Sequence, residues 1–387
     1  MKLRQIPEDF KVEEIGASVT KESGKYKLYL LEKRGMEAFY LLAYLAKQNG
    51  IPVEEIGIAG LKDKHAITKQ YLTIPAERDI KTLHEQKFDL EFLGYVDERL
   101  EIGSLQGNKF EIVARDVKKG EIEGIYHKAK GIEKSGVPNY FDSQRFGSVI
   151  HNNFIVKYVV KGDYENAIKS FLTLYMKTEP ARVKNEKRLI LQKWPNLEGI
   201  QLNTKGLAGV VDEYNRTEDW QKAYRKIPTN IRKMFLSAYQ SYLWNECVKL
   251  LLKKTLKHNE IYGIRYLVGE LIFYKNLSEK DFAKIPETLK LIGPRMQMTE
   301  LEKRIIGKVL SKEGLSLKDL DIQDETSDFF GVRERPVIIR PKDFKISEPM
   351  VDELNDRGKK NTFKITLSFE LPKGSYATIV TKRIFNR

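Results

Sequence analysis

The sequence predicts an α+β protein whose sheet is supplied by both ends of the chain and interrupted by a mostly helical stretch. Two observations carry this. Segments alternating apolar and polar residues lie near both termini, and helical spacing dominates between about residues 155 and 325. No internal repeat and no low-complexity linker complicates the pattern.

In chain order, "KYKLYLLEK" (25–33) predicts a strand with Tyr26, Leu28 and Leu30 on one face. Gly35 breaks it, and "EAFYLLAYLAKQNG" (37–50) predicts a helix that stops at Asn49-Gly50. "KFEIVARDV" (109–117) alternates again. In the middle, "TNIRKMFLSAYQSYLWNECVKLLLKK" (229–254) predicts a long helix capped by Thr229. "TELEKRIIGKVLSKEG" (299–314) carries a capping box of Thr299 and Glu302 with Gly314 as its stop. "RYLVGELIFYK" (265–275) is the clearest strand of that region. Near the carboxyl end, "NTFKITLSFEL" (361–371) sets Phe363, Ile365, Leu367 and Phe369 opposite Lys364, Thr366 and Ser368.

At 387 residues the chain has room for two domains, or one domain with a large insertion. Its formal net charge of +14, spread along its length, favours a polyanionic partner, with nucleic acid ahead of a membrane surface. A merely soluble Lys-rich protein is the plainer alternative. The one cysteine, Cys247, cannot form a disulfide within the chain, and its apolar neighbours predict a packed thiol. No apolar run approaches the ~18–20 residues of a membrane span, and "MKLRQIPEDFKVEE" has no apolar signal region. The expectation is a soluble cytoplasmic protein.

Several chemistries lack their signatures. Five scattered histidines (65, 84, 127, 151 and 258) and one cysteine offer no metal-ligand spacing. "GIAGLKDK" fails the P-loop pattern because aspartate follows its lysine, and neither GxGxxG after a strand nor GxSxG occurs. Carboxylates, bases and aromatics remain.

Among them Asp63, in "GLKDKHAITKQ" (60–70), leads, because lysines on both sides favour its ionised form and make it a candidate nucleophile or base. An exposed turn aspartate among solvated lysines is the plainer reading. "GNKF" (107–110) offers Asn108, able to read a base edge or simply to form a turn, and Phe110, able to stack on a base or fill a core. "GVPNYFDSQRFG" (136–147) interleaves aromatics with Arg145, which suits single-stranded RNA or a packed loop tying two domains together. "PEDF" (7–10) and "LPKGSYAT" (371–378) each place an aromatic, Phe10 or Tyr376, in a strand-and-turn setting.

Together and in this order, "PEDFKVEE" (7–14), "AGLKDKHAITKQ" (59–70), "GNKFEIVAR" (107–115), "GVPNYFDSQRFG" (136–147), "SAYQSYLWN" (237–245) and "FELPKGSYAT" (369–378) resemble the TruD family of tRNA pseudouridine synthases. The match runs from end to end and is loose between 250 and 330. The resemblance implies isomerisation of a uridine in tRNA, most often at position 13. The bond from C1′ to N1 breaks, the base turns, and C5 is joined to C1′. Such a reaction needs no metal, cofactor or second substrate. The family's aspartate falls on Asp63, either as covalent nucleophile or as the base that takes a sugar proton. Its base and sugar contacts fall on Phe10, Asn108 and Tyr376, where some relatives have phenylalanine for the tyrosine. Phe110 would meet the flipped nucleotide or take its vacated place, and Lys62 and Arg4 would pair with phosphate or carboxylate.

The resemblance also implies a pseudouridine synthase catalytic domain from residues 1–150 and 331–387, with a mostly helical α/β insertion at 151–330, or 136–340 by a wider definition. The alternative from another class is a catalytically silent tRNA-binding protein or chaperone on the same scaffold. A methyltransferase, the reading without the resemblance, lacks its glycine-rich loop.

Overall fold

Alternation in "FKVEEI" buries Phe10, Val12 and Glu14 and exposes Lys11 and Glu13, which makes β1 (Phe10–Ile15) a strand with one covered face. The computed structural model describes residues 1–16, 20–81, 84–322, 330–358 and 361–386, so the last residues of the stretch expected to be helical, 323–325, lie outside the described residues. The chain divides into two units, Met1–Val137 with Ile339–Asn386, and Pro138–Ile338.

The first unit continues with β2 (Tyr26–Arg34), α1 (Ala38–Asn49), β3 (Ile67–Pro75), β4 (Phe88–Val96), β5 (Gly107–Lys118) and α2 (Ile122–Ser135). α1 is opened by the Glu37 carboxylate, which accepts from the Tyr40 N–H at 2.7 Å, and closed by Gly50 at φ 63°. Its Leu41 and Leu45 pack with Tyr29, Leu31, Leu72 and Ile74 of the sheet. The expected face of β2, Tyr26, Leu28 and Leu30, is therefore the less covered one. Tyr29, Leu31 and the fully buried Lys33 occupy the alternate positions that turn inward. Tyr26, Leu28 and Leu30 do share a face as expected, and a lysine at a core position hid how well the other face is covered.

The second unit holds α3 (Tyr164–Thr173), α4 (Ala181–Lys193), α5 (Lys205–Thr217), α6 (Thr229–Thr255), β6 (Ile261–Tyr266), β7 (Gly269–Tyr274) and α7 (Glu300–Glu313). α6 is buried on most sides, through Phe235, Tyr239, Leu243, Trp244, Val248 and Leu251. Cys247 lies among them as a packed thiol, its pKa pushed up by burial. Pro228, not Thr229, is the cap residue of α6. The single strand expected over 265–275 is a hairpin, because the apolar pair Leu267-Val268 forms its turn and Gly269 takes φ 141°. The capping box of α7 is present, with Thr299 N–H donating to Glu302 Oε2 at 2.9 Å and Glu302 N–H to Thr299 Oγ1 at 3.2 Å.

From Pro138 onward "GVPNYFDSQRFG" belongs to this unit, and its aromatics point into it. Tyr140, Phe141 and Phe146 are buried. The Tyr140 hydroxyl donates to Ile272 O at 2.9 Å, and the Phe141 backbone exchanges two 2.9 Å bonds with the Asn245 side chain. The motif thus binds the "SYLWN" stretch of α6. Arg145 Nε donates to Ser241 Oγ at 3.1 Å.

The chain returns to the first unit with β8 (Lys342–Ile346), β9 (Thr362–Pro372) and α8 (Ala377–Phe385), which packs against α2. β9 lies antiparallel to β5 from Thr362 opposite Lys118 to Pro372 opposite Gly107. The longer strands run β8-β9-β5-β1-β3-β2-β4, antiparallel except for the β1–β3 pair. Gly107 is required by close approach, because a Cβ there would lie 2.4 Å from Leu371 O.

A largely buried ion network ties the two ends of the chain to β5. Arg115 on β5 donates through Nε to Asp9 Oδ1 at 2.7 Å and through Nη1 to Asp352 Oδ1 at 3.0 Å and Glu353 Oε1 at 3.1 Å. Burial alone would raise the Asp352 carboxyl. Hydrogen bonds from Asp116 N–H, Asn355 and Arg115 outweigh it and hold the pKa below the usual value. Bonds from Lys364, its own backbone N–H and Arg115 hold Glu353 at about 2.

Arg115→Met strands the buried carboxylates of Asp9 and Asp352, and should destabilise the first unit by ~3–5 kcal/mol in urea titration at neutral pH. Both depressed carboxyls take up protons more readily in the unfolded chain. Their stabilisation is therefore complete above the unfolded pKa and lost as the pH falls through the folded one, for Glu353 between 4.5 and about 2. The variant should show a shallower loss over that window.

Candidate active site

Asp63 lies in a segment without regular structure just before β3, with its side chain about one-third exposed. Arg4 Nη1 stands 3.2 Å from its Oδ2. The local lysines behave differently: Lys64 is exposed, and Lys62 Nζ pairs with Glu14 Oε1 at 2.6 Å. That pair is nearly closed to solvent, and Glu14 Oε2 also accepts from Tyr71 N–H at 2.8 Å. Lys62 and Arg4, expected to meet phosphate or carboxylate, both meet carboxylates here.

Arg4 reaches Asp63 from a left-handed backbone position, φ 57°, which costs a non-glycine residue of order 1 kcal/mol. The two following N–H groups, of Gln5 and Ile6, donate to Asp9 Oδ2 at 3.0 and 3.2 Å. Since Asp9 Oδ1 is held by Arg115, the "PED" of "PEDF" is the clamp that sustains this turn. The Arg4 guanidinium also lies 3.8 Å from the centre of the Phe10 ring.

Phe10 opens β1 and Phe110 lies on β5, both buried, with ring centroids 6.2 Å apart; Phe369 of β9 adds a third ring 5.6 Å from Phe110. Asn108, two residues before Phe110 on β5, is flanked by Glu14 on β1 and Leu371 on β9. Its Oδ1 is buried with no hydrogen-bond partner among the described residues. Tyr376 is the half-buried N-cap residue of α8, just past the turn in which Gly374 takes φ 79°. The first unit thus joins Arg4, Phe10, Asp63 and Phe110 by a chain of direct contacts, and adds Asn108 and Lys62 through Glu14. Tyr376 lies four residues past Pro372, the residue of β9 that pairs with Gly107 at the start of β5.

Three contributors escape a residue-by-residue reading: Glu14, Lys33 and Arg115. Glu14 and Lys33 are charged groups in phase with a buried residue two positions earlier, Val12 and Leu31, whereas Arg115 is out of phase with the buried Phe110, Ile112 and Ala114 of β5. For Glu14 and Lys33 the alternation of burial was the available signal, and charge masked it; for Arg115 there was none, because it breaks the alternation of β5.

Against known proteins, the profile of the family described as tRNA pseudouridine synthase D (TruD) matches residues 1–384. The chain is 42% identical over its whole length to a full-length Methanococcus maripaludis protein named "Probable tRNA pseudouridine synthase D 1". It is 34% identical, over all of this chain and 98% of the other, to tRNA pseudouridine synthase D of Aquifex aeolicus. A crystal structure of a Methanosarcina mazei protein described as TruD superposes with a TM-score of 0.73 at 28% identity, covering 100% of this chain and 93% of that one. The α+β fold expected from the pattern is the fold of that structure. The chain belongs to the tRNA pseudouridine synthase D family.

Proposed function

We propose that this chain isomerises a uridine of tRNA, at position 13, to pseudouridine, with Asp63 as the reacting carboxylate. The observation that carries the reading is the Arg4–Asp63 pair, 3.2 Å apart, beside the Phe10 and Phe110 rings and the unpaired amide oxygen of Asn108. A uracil edge presents one N3–H donor between two carbonyl acceptors. The orphan Asn108 oxygen suits that donor, and the amide nitrogen suits an acceptor beside it. Arg4 holds one oxygen of Asp63 in place, which orients the carboxylate toward the sugar, as nucleophile at C1′ or as base. Deuterium on the sugar carbon that would lose its proton separates these routes, because only the base route slows. In this reading the unit of Met1–Val137 and Ile339–Asn386 is catalytic, and Pro138–Ile338 is the family insertion. No described helix is long and apolar enough to cross a membrane, and the +14 charge suits RNA in solution.

Asp63→Asn keeps the shape of the side chain and removes its charge. It should abolish pseudouridine formation while leaving Tm and tRNA affinity close to wild type. Clear turnover by purified mutant protein would remove Asp63 from the mechanism, and a wild-type protein that binds tRNA without converting it would favour the silent binder.

Affinity should be dominated by phosphate contacts. The log of the tRNA association constant should therefore fall linearly with log salt, with a slope that counts those contacts. A flat response in filter-binding titrations would rule out the basic surface as the RNA footprint.

The target base must leave its stack to reach Asp63, at a cost of a few kcal/mol, and Tyr376 offers an aromatic face to receive it. Stacking is worth ~1–3 kcal/mol per base, so Tyr376→Ala should slow single-turnover conversion roughly 5- to 150-fold. Overall tRNA affinity should change much less. A wild-type rate in this variant would take Tyr376 out of the pocket.

A further inference from the structure

Lys33 is the least expected residue near Asp63. It stands on β2 opposite Thr68 of β3 and Phe88 of β4, and is fully buried. Its ammonium has no ion-pair partner among the described residues. It donates instead to three backbone carbonyls: Met36 O at 2.9 Å, Asp63 O at 2.8 Å and Lys62 O at 3.5 Å. Two of these belong to the irregular segment that carries Asp63, and the third to the turn leading into α1.

Stability does not explain a lysine here. A buried ammonium without a counter-ion is costly to fold. Burial pushes its pKa down to about 8, against the opposing pull of Asp63 and Glu37, while Lys62 lowers it further. The folded value lies below the unfolded one, so the folded chain binds fewer protons between about pH 8 and 10.5. This group therefore adds stability as the pH rises through that window and disfavours folding below it. What the ammonium supplies is three N–H donors aimed at a stretch of chain that no strand ladder holds.

We propose that Lys33 is a positioning residue of the reaction, fixing the Asp63 backbone through its carbonyl while Arg4 fixes the Asp63 carboxylate. This rests on Asp63 being the reacting group. With the carbonyls released, the segment 62–63 can turn and carry the carboxylate away from the sugar. A displacement of about 1 Å at a reacting group costs on the order of 100-fold in rate. Deprotonation acts in the same direction, because a neutral amine brings two N–H groups and a lone pair to three carbonyl oxygens. The charged groups around Lys33 are Asp63 and Lys62 on the loop, Glu37 at the start of α1, Glu14 of β1 through Lys62, and Arg4 through Asp63. Rate should fall as the pH rises through about 8.

The test compares wild type, Lys33→Met and Lys33→Gln. Single-turnover conversion is followed by tritium release from C5 of the target uridine between pH 6.5 and 9, with tRNA Kd and Tm measured alongside. Lys33→Met should be roughly 100-fold slower at neutral pH with Kd within about twofold of wild type. Lys33→Gln keeps two neutral N–H donors and cannot titrate, so its rate should lack the alkaline decline seen in wild type. A wild-type rate in Lys33→Met, rate and affinity falling together, or the same alkaline decline in Lys33→Gln would each overturn the proposal. Should Lys33→Met fail to fold, the pH profiles of wild type and Lys33→Gln decide alone. Asp63→Asn runs in parallel. Turnover there would sink the role of Asp63 and this inference with it. A dead Asp63→Asn beside a full-speed Lys33→Met would sink only the role of Lys33.

Discussion

One guanidinium holds the first unit together. Arg115 sits on β5, an interior strand, and binds a carboxylate from the start of the chain, Asp9, and two from near its end, Asp352 and Glu353. Buried charges of this kind rarely add net stability over well-packed apolar groups. Their effect is directional: a guanidinium satisfied by three carboxylates admits one arrangement of the segments that carry them. Asp9 passes the constraint on, since its second oxygen caps the turn that follows Arg4. The Arg4–Asp63 pair thus depends on a residue more than a hundred positions away from Arg4 in sequence.

The same logic recurs elsewhere in the sheet. Glu14 and Lys33 occupy positions that alternation assigns to apolar side chains, Arg115 breaks the alternation of β5, and each of the three places its charge inside the protein. Glu14 neutralises Lys62, Lys33 holds carbonyls, and Arg115 joins the chain ends. Breaks in the hydrophobic pattern of this kind are expected where folding stability gives way to geometry, and Glu14 and Lys33 both touch the segment that carries Asp63.

Much of this was legible in the sequence. The strands at 25–33, 109–117 and 361–371 and the helices at 37–50 and 299–314 follow from alternation, helical spacing and terminal glycines, and they stand where those signals put them. Ordered motifs singled out Asp63, Phe10, Asn108, Phe110 and Tyr376. The resemblance offered Arg4 and Lys62 as partners of phosphate or carboxylate, but which carboxylate each meets was not legible, because pairing through space leaves no local trace. Lys62 and Lys64 flank Asp63 in sequence, yet the resolved ion pair comes from Arg4. That the opposite face of β2 is the better covered one was hidden because Lys33 is charged, and the hairpin at 261–274 was read as one strand because its turn is apolar. The aromatics of "GVPNYFDSQRFG" were open to an RNA reading until their burial placed them inside the second unit.

The pairing of β5 with β9 also sets an order of events during synthesis. β5 ends at Lys118 and its partner begins only at Thr362. At about 5–20 residues per second, the ribosome takes on the order of ten to fifty seconds to bridge that gap. Throughout it one edge of β5 stands without its ladder, and for nearly all of it Arg115 lacks two of its three carboxylates. The whole of Pro138–Ile338 is made in the interval. The newborn chain therefore carries a half-built sheet with an open edge, a species that chaperones are suited to shelter.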